Sequence, residues 1–234
     1  MPELREAFAT ALRLVLEGDA DLLEIVVLSL EVSLGALLAA CLVALPLGAL
    51  LAIVRFPGRG AAIVLLNALM GLPPVVVGLL VYLTLSRSGP LGELGWLFTP
   101  RAMIVAQFVL ITPIVAALAR ETFAALWEEY EDQLRSLGAR GLRAAGTLLV
   151  EGRTRLVVAV LAGLGRAIAE VGAVLIVGGN IAHVTRVMTT TIALETSQGD
   201  LPLALALGLL LILLSIVLNG LAFGVRAFTG EAHA

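Results

Sequence analysis

Long apolar segments alternate with short polar ones along most of this 234-residue chain. A transmembrane helix needs about 20 predominantly apolar residues. The pattern therefore predicts an all-α, polytopic helical membrane protein with about five transmembrane helices, followed by a short tail over 228–234. Within a transmembrane domain covering 22–227, the predicted spans are about 22–54, 60–86, 102–119, 156–178 and 201–223.

The second span carries an interruption near its middle, at Gly71-Leu72-Pro73-Pro74. Each proline removes a backbone donor and prevents regular helical winding. Broken helices at membrane depth are tolerated only against protein or a polar passage. The sequence therefore predicts a break at this point.

The fourth span contains two opposite charges, Arg166 and Glu170, at a spacing of four residues. This spacing lets the two side chains pair on one helix face. Charges inside a membrane are costly unless they are paired or wetted, and they are candidate functional sites by default. The alternative is a structural ion pair that stabilises the helix bundle and never meets a substrate.

The pattern of apolar and polar positions over 1–21 predicts an amphipathic interfacial helix that ends at Gly18. The alternative is an amphipathic terminus without a role. The apolar positions on one predicted helical face are Leu4, Phe8, Leu12, Val15 and Leu16.

The polar block over 120–155 holds six arginines and as many carboxylates between two apolar spans. Gly138 supplies the positive φ that ends a helix at low cost, and a second short amphipathic piece with Leu142, Leu148 and Leu149 follows it. Two amphipathic helices in a solvated loop favour a surface that binds another protein. The apolar positions at helical spacing before the glycine are Phe123, Leu126, Trp127, Tyr130, Leu134 and Leu137.

Composition sets the class and excludes several chemistries. The chain is 60% hydrophobic and 14% charged, its mean hydropathy is +1.05, and its net charge of −3 gives no indication of a nucleic-acid partner. All fifteen basic residues are arginine, so the chain has no lysine for a P-loop or a Schiff base. A single cysteine, Cys41, allows no intrachain disulfide or thiolate metal site. His183 and His233 lie outside the spans, which disfavours an intramembrane metalloenzyme and predicts no metal site.

The distribution of arginines predicts the orientation. With the amino terminus outside, nine arginines fall in inside segments and five in outside segments, counting all except Arg166. Positive residues favour the cytoplasmic side. The block over 120–155 and the carboxyl terminus are therefore expected in the cytoplasm, with a cytosolic partner for the block.

The run from Asp132 to Ala139 resembles the cytoplasmic "EAA" loop of ABC-importer permeases, with Gly138 as the aligned glycine. The sequence departs from the pattern in two places. The run Asp132-Gln133-Leu134 stands for the three EAA residues, and Val150-Glu151 stands where Leu-Pro is usual.

Three further stretches resemble the sulfate, molybdate and tungstate permeases, and most of all their tungstate branch. They are GLPPVVVGLLVY at 71–82, SRSGPLG at 86–92 and VGGNIAHVTRVMTT at 177–190. The run RAIAEVGA at 166–173 supports the same family. The resemblance covers nearly the whole chain from Ile25 onward.

The resemblance implies a type I ABC-importer permease that works by alternating access as a homodimer. Two cytosolic ATP-binding subunits would bind ATP and magnesium, an external oxyanion-binding protein would deliver the substrate, and this chain would hold no cofactor. A molybdate or sulfate permease is the nearest alternative. A stand-alone anion channel is an alternative of another class, and it would have no need of an ATPase-docking face.

The resemblance also assigns roles to residues. The ATPase-coupling positions would be Asp132, Arg135, Ser136, Leu137, Gly138, Ala139, Arg140, Leu142, Arg143 and Glu151, with a coupling helix around 140–147. The gate and translocation path would be Gly71, Leu72, Pro73, Pro74, Val75, Arg166 and Glu170.

The side that receives the oxyanion would lie in the polar stretch after span four, which is predicted as a re-entrant or surface segment. Hydroxyl, amide and guanidinium donors suit an oxyanion. The alternative is a capped, solvated segment that touches only the binding protein. The donors concerned are Asn180, Thr185, Arg186, Thr189 and Thr190.

Overall fold

The computed structural model describes residues 2–139 and 141–228, with side chains other than those of residues 2–8, 142 and 226–228. Apart from a single 3-10 turn at Gly92–Leu94, every regular element in these ranges is an α-helix, which confirms the all-α prediction. The helices are α1 (Pro2–Glu17), α2 (Ala20–Ile53), α3 (Arg59–Leu69), α4 (Pro74–Leu85), α5 (Pro100–Ser136), α6 (Leu142–Glu151), α7 (Arg153–Ile168), α8 (Gly172–Gly178), α9 (Met188–Gln198) and α10 (Leu201–Phe228).

Three helices in the described residues are long and apolar enough to cross a membrane: α2, α5 and α10. The count rises to five if two bent pairs, α3 with α4 and α7 with α8, each form one span. Each pair bends by more than 40° at a break of at most four residues. If each bent pair is one span, the five predicted spans correspond to three single helices and two broken ones.

The third predicted span is only the first part of a longer helix. The sequence predicts a span over 102–119 and a further amphipathic helix that Gly138 ends, but α5 runs without a break over 37 residues, Pro100–Ser136. After Pro113 the chain has no glycine or proline until Gly138, and Ala, Leu and Glu dominate, all strong helix formers. The first half of the polar block is therefore a direct extension of a membrane helix.

The fourth predicted span, 156–178, is not one continuous helix. Helix α7 ends at Ile168, and α8 begins at Gly172. Residues 169–171 are not helical, although the segment contains no proline. Contacts with other parts of the fold hold this break open, as described below.

Helix α1 ends as the sequence predicts, because Gly18 adopts a φ of +65°. Asp19 then starts α2, since its Oδ1 accepts a hydrogen bond from the backbone N–H of Leu22 at 3.0 Å. Leu12 and Leu16 are 54% and 77% exposed, so this face is available for the predicted membrane interface.

The chain forms two compact units, each made of three chain segments. The first comprises the described parts of Met1–Ala36, Pro73–Gln107 and Arg166–Leu218. The second comprises those of Leu37–Leu72, Phe108–Gly165 and Asn219–Ala234. Within the first unit, α4 packs against α8.

The core of the second unit is built by α5 and α6 together with the end of α2. Phe123 and Leu148 are almost fully buried in it, with Trp127 and Tyr130 packed against its edge. This confirms the predicted apolar face of the segment before Gly138, with one exception. Leu137 is 82% exposed, because α5 ends at Ser136 and the chain reverses before Leu137 can reach the core.

Arg59 holds the carboxyl end of α2. Its Nε donates to the carbonyl of Leu51 at 2.6 Å and its Nη2 donates to that of Ala52 at 3.1 Å. The last carbonyls of a helix have no partner within the helix, and a cation there also offsets the helix dipole. The basic turn after α2 therefore has one structural arginine.

Candidate functional site

The break between α3 and α4 confirms the predicted interruption. Hydrogen bonds from Gly71 N to Ala68 O and from Leu72 N to Leu69 O tighten the end of α3. Pro74 then opens α4 at its first position, where a missing N–H costs nothing. Pro73 is exposed and Val75 is 59% exposed, while Leu72 and Pro74 are half-buried. The gate role of these residues stays a prediction.

Helices α4 and α8 approach each other through small residues. A Cβ added to Gly78 would lie 2.8 Å from the Cα of Ala173, and one added to Gly172 would lie 3.1 Å from a methyl of Val75. Small residues let helix backbones approach closely, which is the usual basis of helix packing in membranes. This contact fixes α8 directly beside the start of α4.

Glu170 lies in the non-helical break between α7 and α8 and is only 3% exposed. Its Oε2 accepts a hydrogen bond from Arg166 Nη1 at 2.5 Å, so the predicted pair forms. Its Oε1 accepts from the backbone N–H of Ala173 at 3.1 Å. The carboxylate thus pairs with a cation and caps the next helix at the same time, which is what a buried charge requires.

Two further side chains hold the same break, and both belong to the first compact unit. Gln107 Nε2 donates to the carbonyl of Ala167 at 3.0 Å, and Thr189 Oγ1 donates to the carbonyl of Glu170 at 2.7 Å. These bonds satisfy carbonyls that the interrupted helix leaves without a partner. Gln107 was missed by sequence reasoning, although a glutamine inside the apolar run 102–119 was a usable signal.

Gln107 is 4% exposed, and its Oε1 has no hydrogen-bond partner among the described residues. A buried acceptor without a partner costs free energy. Together with Arg166, Glu170 and Thr189 it forms a polar cluster at the break between α7 and α8, the "break cluster".

The threonines after span four are buried rather than solvated. Thr185 is fully buried and its hydroxyl donates to the carbonyl of Gly178 at 2.6 Å. The Thr190 hydroxyl donates to Asn180 Oδ1 at 2.8 Å. The alternative of a solvated surface segment is therefore wrong for these threonines, since both side chains are buried inside the first unit. Their predicted contact with an oxyanion stays a prediction.

Arg186 is half-buried, and its Nε has no hydrogen-bond partner among the described residues. This nitrogen therefore retains an unused N–H. Asn180, at a φ of +51°, ends the turn that leads toward it.

An exposed cluster near the start of α2 was not predicted. His183 Nδ1 lies 2.9 Å from Glu24 Oε2, and Asp21 brings a third ligand atom, so that all three lie within 4.8 Å of one another. The hydrogen bond to Glu24 and the charge of that carboxylate raise the pKa of His183. The three side chains offer ligand atoms suited to a cation. The ion pair between His183 and Glu24 explains their arrangement equally well.

Within the polar block, α5 ends in a Schellman motif at Gly138, whose φ is +73°. Ala139 N donates to Leu134 O at 2.8 Å and Gly138 N donates to Arg135 O at 3.0 Å, the two bonds that define this motif. The predicted role of Gly138 as a helix terminator is confirmed.

The predicted coupling residues lie mostly on the surface. Ala139 is half-buried, Arg140 lies outside the described residues, and the side chain of Leu142 is likewise outside them. The exposed positions are Asp132, Arg135, Ser136, Leu137, Gly138, Arg143 and Glu151. Such an exposed surface, anchored by a buried core, is suited to docking a partner.

Comparison with known proteins decides the family. The family described as "Binding-protein-dependent transport system inner membrane component" matches residues 44–226. The chain belongs to this family. The chain is thus a multi-pass membrane permease, and the predicted superfamily is confirmed.

Relatives of this permease family carry more specific names. The tungstate uptake system permease protein of Peptoclostridium acidaminophilum is 39% identical over 226 residues, covering 97% of this chain and 99% of that protein. A tungstate uptake permease from Campylobacter jejuni is 41% identical over 150 residues, 64% and 63% of the two chains. The sulfate transport system permease of Escherichia coli is 31% identical over 173 residues, 70% and 62%.

Proposed function

We propose that this chain is the transmembrane subunit of an ATP-driven importer for an oxyanion, and that the oxyanion is tungstate. The observation that carries the proposal is the 39% identity, over 97% of the chain, to a protein named as a tungstate uptake permease. The match to a sulfate permease is weaker and covers 70% of this chain. Sulfate or molybdate is the alternative substrate.

In this proposal two copies of the chain form the path, and two cytosolic ATP-binding subunits drive alternating access. An extracytoplasmic binding protein delivers the anion, with the amino terminus of the permease outside and its carboxyl terminus in the cytoplasm. The nucleotide is held by the ATP-binding subunits, and this chain has no lysine for a P-loop of its own. Its contribution is a pathway with two states, which the ATPase biases.

The docking site for the ATPase would be the exposed end of α5 together with the outer face of α6. The exposure of Leu137 and Arg143 supports this, because a side chain excluded from the core is available to a partner. Leu148 on the opposite face of α6 is buried, so force applied to α6 reaches the core of the second unit without passing through a loop.

The anion would pass the Pro73-Pro74 break, where Leu72 and Val75 provide an apolar gate. A dry constriction blocks a hydrated dianion without a specific contact. Arg186 would provide an N–H donor for the arriving anion, since one of its guanidinium nitrogens lacks a partner among the described residues. The break cluster would hold the chain in a bent form on this path.

The test is reconstitution with the ATPase and binding protein encoded beside this chain. Proteoliposomes should accumulate tungstate only when ATP and both partners are present, and tungstate should compete better than molybdate or sulfate. Equal uptake without an ATPase would favour the stand-alone channel. Preferred uptake of sulfate would replace the substrate and leave the importer assignment intact.

The ATPase contact has its own experiment. Pull-down with the cytosolic ATPase should succeed with the intact chain and weaken when Leu137 is changed to Asp, because Leu137 makes no core contact that this change would disrupt. Leu12→Asp is the matched control, because Leu12 is also an exposed leucine, at 54%, and lies on α1. Equal binding by both variants would move the docking surface elsewhere.

A further inference from the structure

An apolar cavity of about 530 Å³ lies in the second compact unit, beside the carboxyl half of α2. Leu42, Leu45 and Leu50 line it from α2, and Ala145, Gly146 and Leu149 line it from α6. Leu42 is 79% exposed and Leu50 is 48% exposed, so the cavity opens along the outer side of a membrane-length helix. Water has few polar partners in such a space, and an apolar occupant is favoured.

A second, polar pocket of about 520 Å³ adjoins this cavity and shares Ile53, Val54 and Gly141 with it. Its remaining lining residues are Arg55, Trp127, Glu131 and Arg135. Two guanidinium groups and one carboxylate therefore line this pocket, and the carboxylate pairs with Arg135. An apolar cavity that continues into a cationic pocket matches the two parts of an anionic amphiphile, its apolar chain and its charged headgroup.

The arginines of this region differ in how they are used. Arg135 pairs with Glu131, and Arg59 donates to the carbonyls that end α2. Arg55 is exposed, and no hydrogen bond or ion pair of its side chain is found among the described residues. It is placed at the end of an apolar helix, where a lipid phosphate would lie.

We propose that the cavity and the adjoining pocket together bind an anionic phospholipid. One acyl chain lies between α2 and α6, and the phosphate contacts Arg55, with Arg135 beside it. Trp127 lines the polar pocket, and tryptophan is enriched at membrane interfaces, where lipid headgroups lie. Basic pockets between membrane helices are known acceptors of anionic lipid headgroups. The proposal is independent of which oxyanion is transported.

The site links lipid to the surface proposed for ATPase docking, because α6 contributes to both. Leu149 faces the cavity, whereas Leu148 is buried in the core and Arg143 is exposed. A bound acyl chain would fill the cavity between α6 and α2 and stabilise the packing of these two helices.

The experiment is native mass spectrometry of the full-length protein in detergent, titrated with phosphatidylglycerol and with phosphatidylcholine of matched acyl chains. The intact chain should bind phosphatidylglycerol in preference. Arg55→Gln should reduce that preference about fivefold, the effect expected of one arginine near a lipid surface. Arg55→Lys should retain most of it, and Arg87→Gln, which changes an exposed arginine of the first unit, should leave it unchanged.

The cavity is tested through Gly146, since a Cβ added there meets no atom within 4 Å. Gly146→Phe should fill the cavity and reduce binding of both lipids, whereas Gly146→Ala should bind as the intact chain does. Gly146→Leu replaces the phenylalanine variant if thermal unfolding shows that the latter is destabilised.

Three outcomes would overturn the proposal. Equal binding of the two lipids by the intact chain would remove the charge recognition. Equal loss of preference in Arg55→Gln and Arg87→Gln would show that only total charge matters. If light scattering shows a dimer for the intact chain and a monomer for Gly146→Phe, a second copy of the chain, and not a lipid, fills the cavity.

Discussion

The break between α7 and α8 and the polar block at the end of α5 are both rich in polar residues, yet their side chains are used in opposite ways. At the first, Thr189 and Glu170 are buried and bonded to backbone groups. In the second, Asp132 and Arg143 remain exposed. Polar composition alone therefore does not locate a functional surface. The partners of each group separate structural polar residues from those available to another molecule.

The largest expected effect is a loss of stability when the close contact in the first unit is filled. Gly78→Ala places a methyl 2.8 Å from the Cα of Ala173, and neither backbone can move without shifting a helix. Overpacking of this kind costs about 1–3 kcal/mol. Thermal unfolding in detergent should show a clear decrease.

The matched control for this prediction is Gly146→Ala in the second unit, where the added methyl meets nothing within 4 Å. It should be neutral or stabilising, because alanine favours a helix over glycine by about 1 kcal/mol. Equal unfolding temperatures for the two variants would contradict the predicted difference in packing between the two regions.

A second prediction compares the ion pairs of the two regions. Glu170→Gln should cost about 2 kcal/mol, less than the roughly 3–5 kcal/mol for breaking a fully buried pair, because Arg166 is 35% exposed. Glu131→Gln should cost less than about 1 kcal/mol, since Arg135 is 58% exposed. Denaturant titration measures both.

A double variant sharpens this comparison. If Glu170 acts mainly through Arg166, Arg166→Gln combined with Glu170→Gln should be less destabilised than the sum of the single changes. A coupling of about 0.5–3 kcal/mol is expected for residues in direct contact. Additive losses would instead assign the role of Glu170 to its hydrogen bond with Ala173 N.

A third, smaller effect concerns the end of α5. Gly138→Ala should cost about 1 kcal/mol, because alanine is strained at a φ of +73° even though the added methyl meets no neighbour. Gly165→Ala in α7 adds a methyl in equally open space without a positive φ and should cost nothing. Similar losses in both variants would contradict a role of the positive φ.

The smallest expected effect is a pH dependence at the start of α2. Because Glu24 raises the pKa of His183 in the folded state, the stabilisation is fully present below the unfolded value of about 6.5 and is lost as the pH rises through the folded value. The difference in melting temperature between the intact chain and His183→Gln should therefore shrink from pH 5.5 to about 8.5. A constant difference would exclude the ion pair as its cause.

The two helix breaks show which parts of this fold sequence reasoning can reach. The first break is encoded locally, since Pro73 and Pro74 cannot be accommodated in a regular helix. The second has no local signal of that strength. It depends on donors from other helices, such as Gln107 and Thr189, whose positions the sequence does not reveal.

The same limit applies to the candidate site. The Arg166–Glu170 pair could be predicted from its spacing, because four residues make one helical turn. The threonines could be recognised as donors, but not their acceptors, which lie in the preceding turn and in the break. Leu137 matched the helical period and was still placed wrongly, because periodicity does not account for the reversal at Gly138.

The uninterrupted course of α5 has a mechanical consequence. At about 1.5 Å per residue, its 37 residues make a rod of about 55 Å, longer than a bilayer is thick. A tilt of about 5° at one end of such a rod displaces the other end by about 5 Å. Since no loop separates its polar end from its apolar end, a movement of a partner docked at the polar end would be transmitted along α5 without a flexible connection in between.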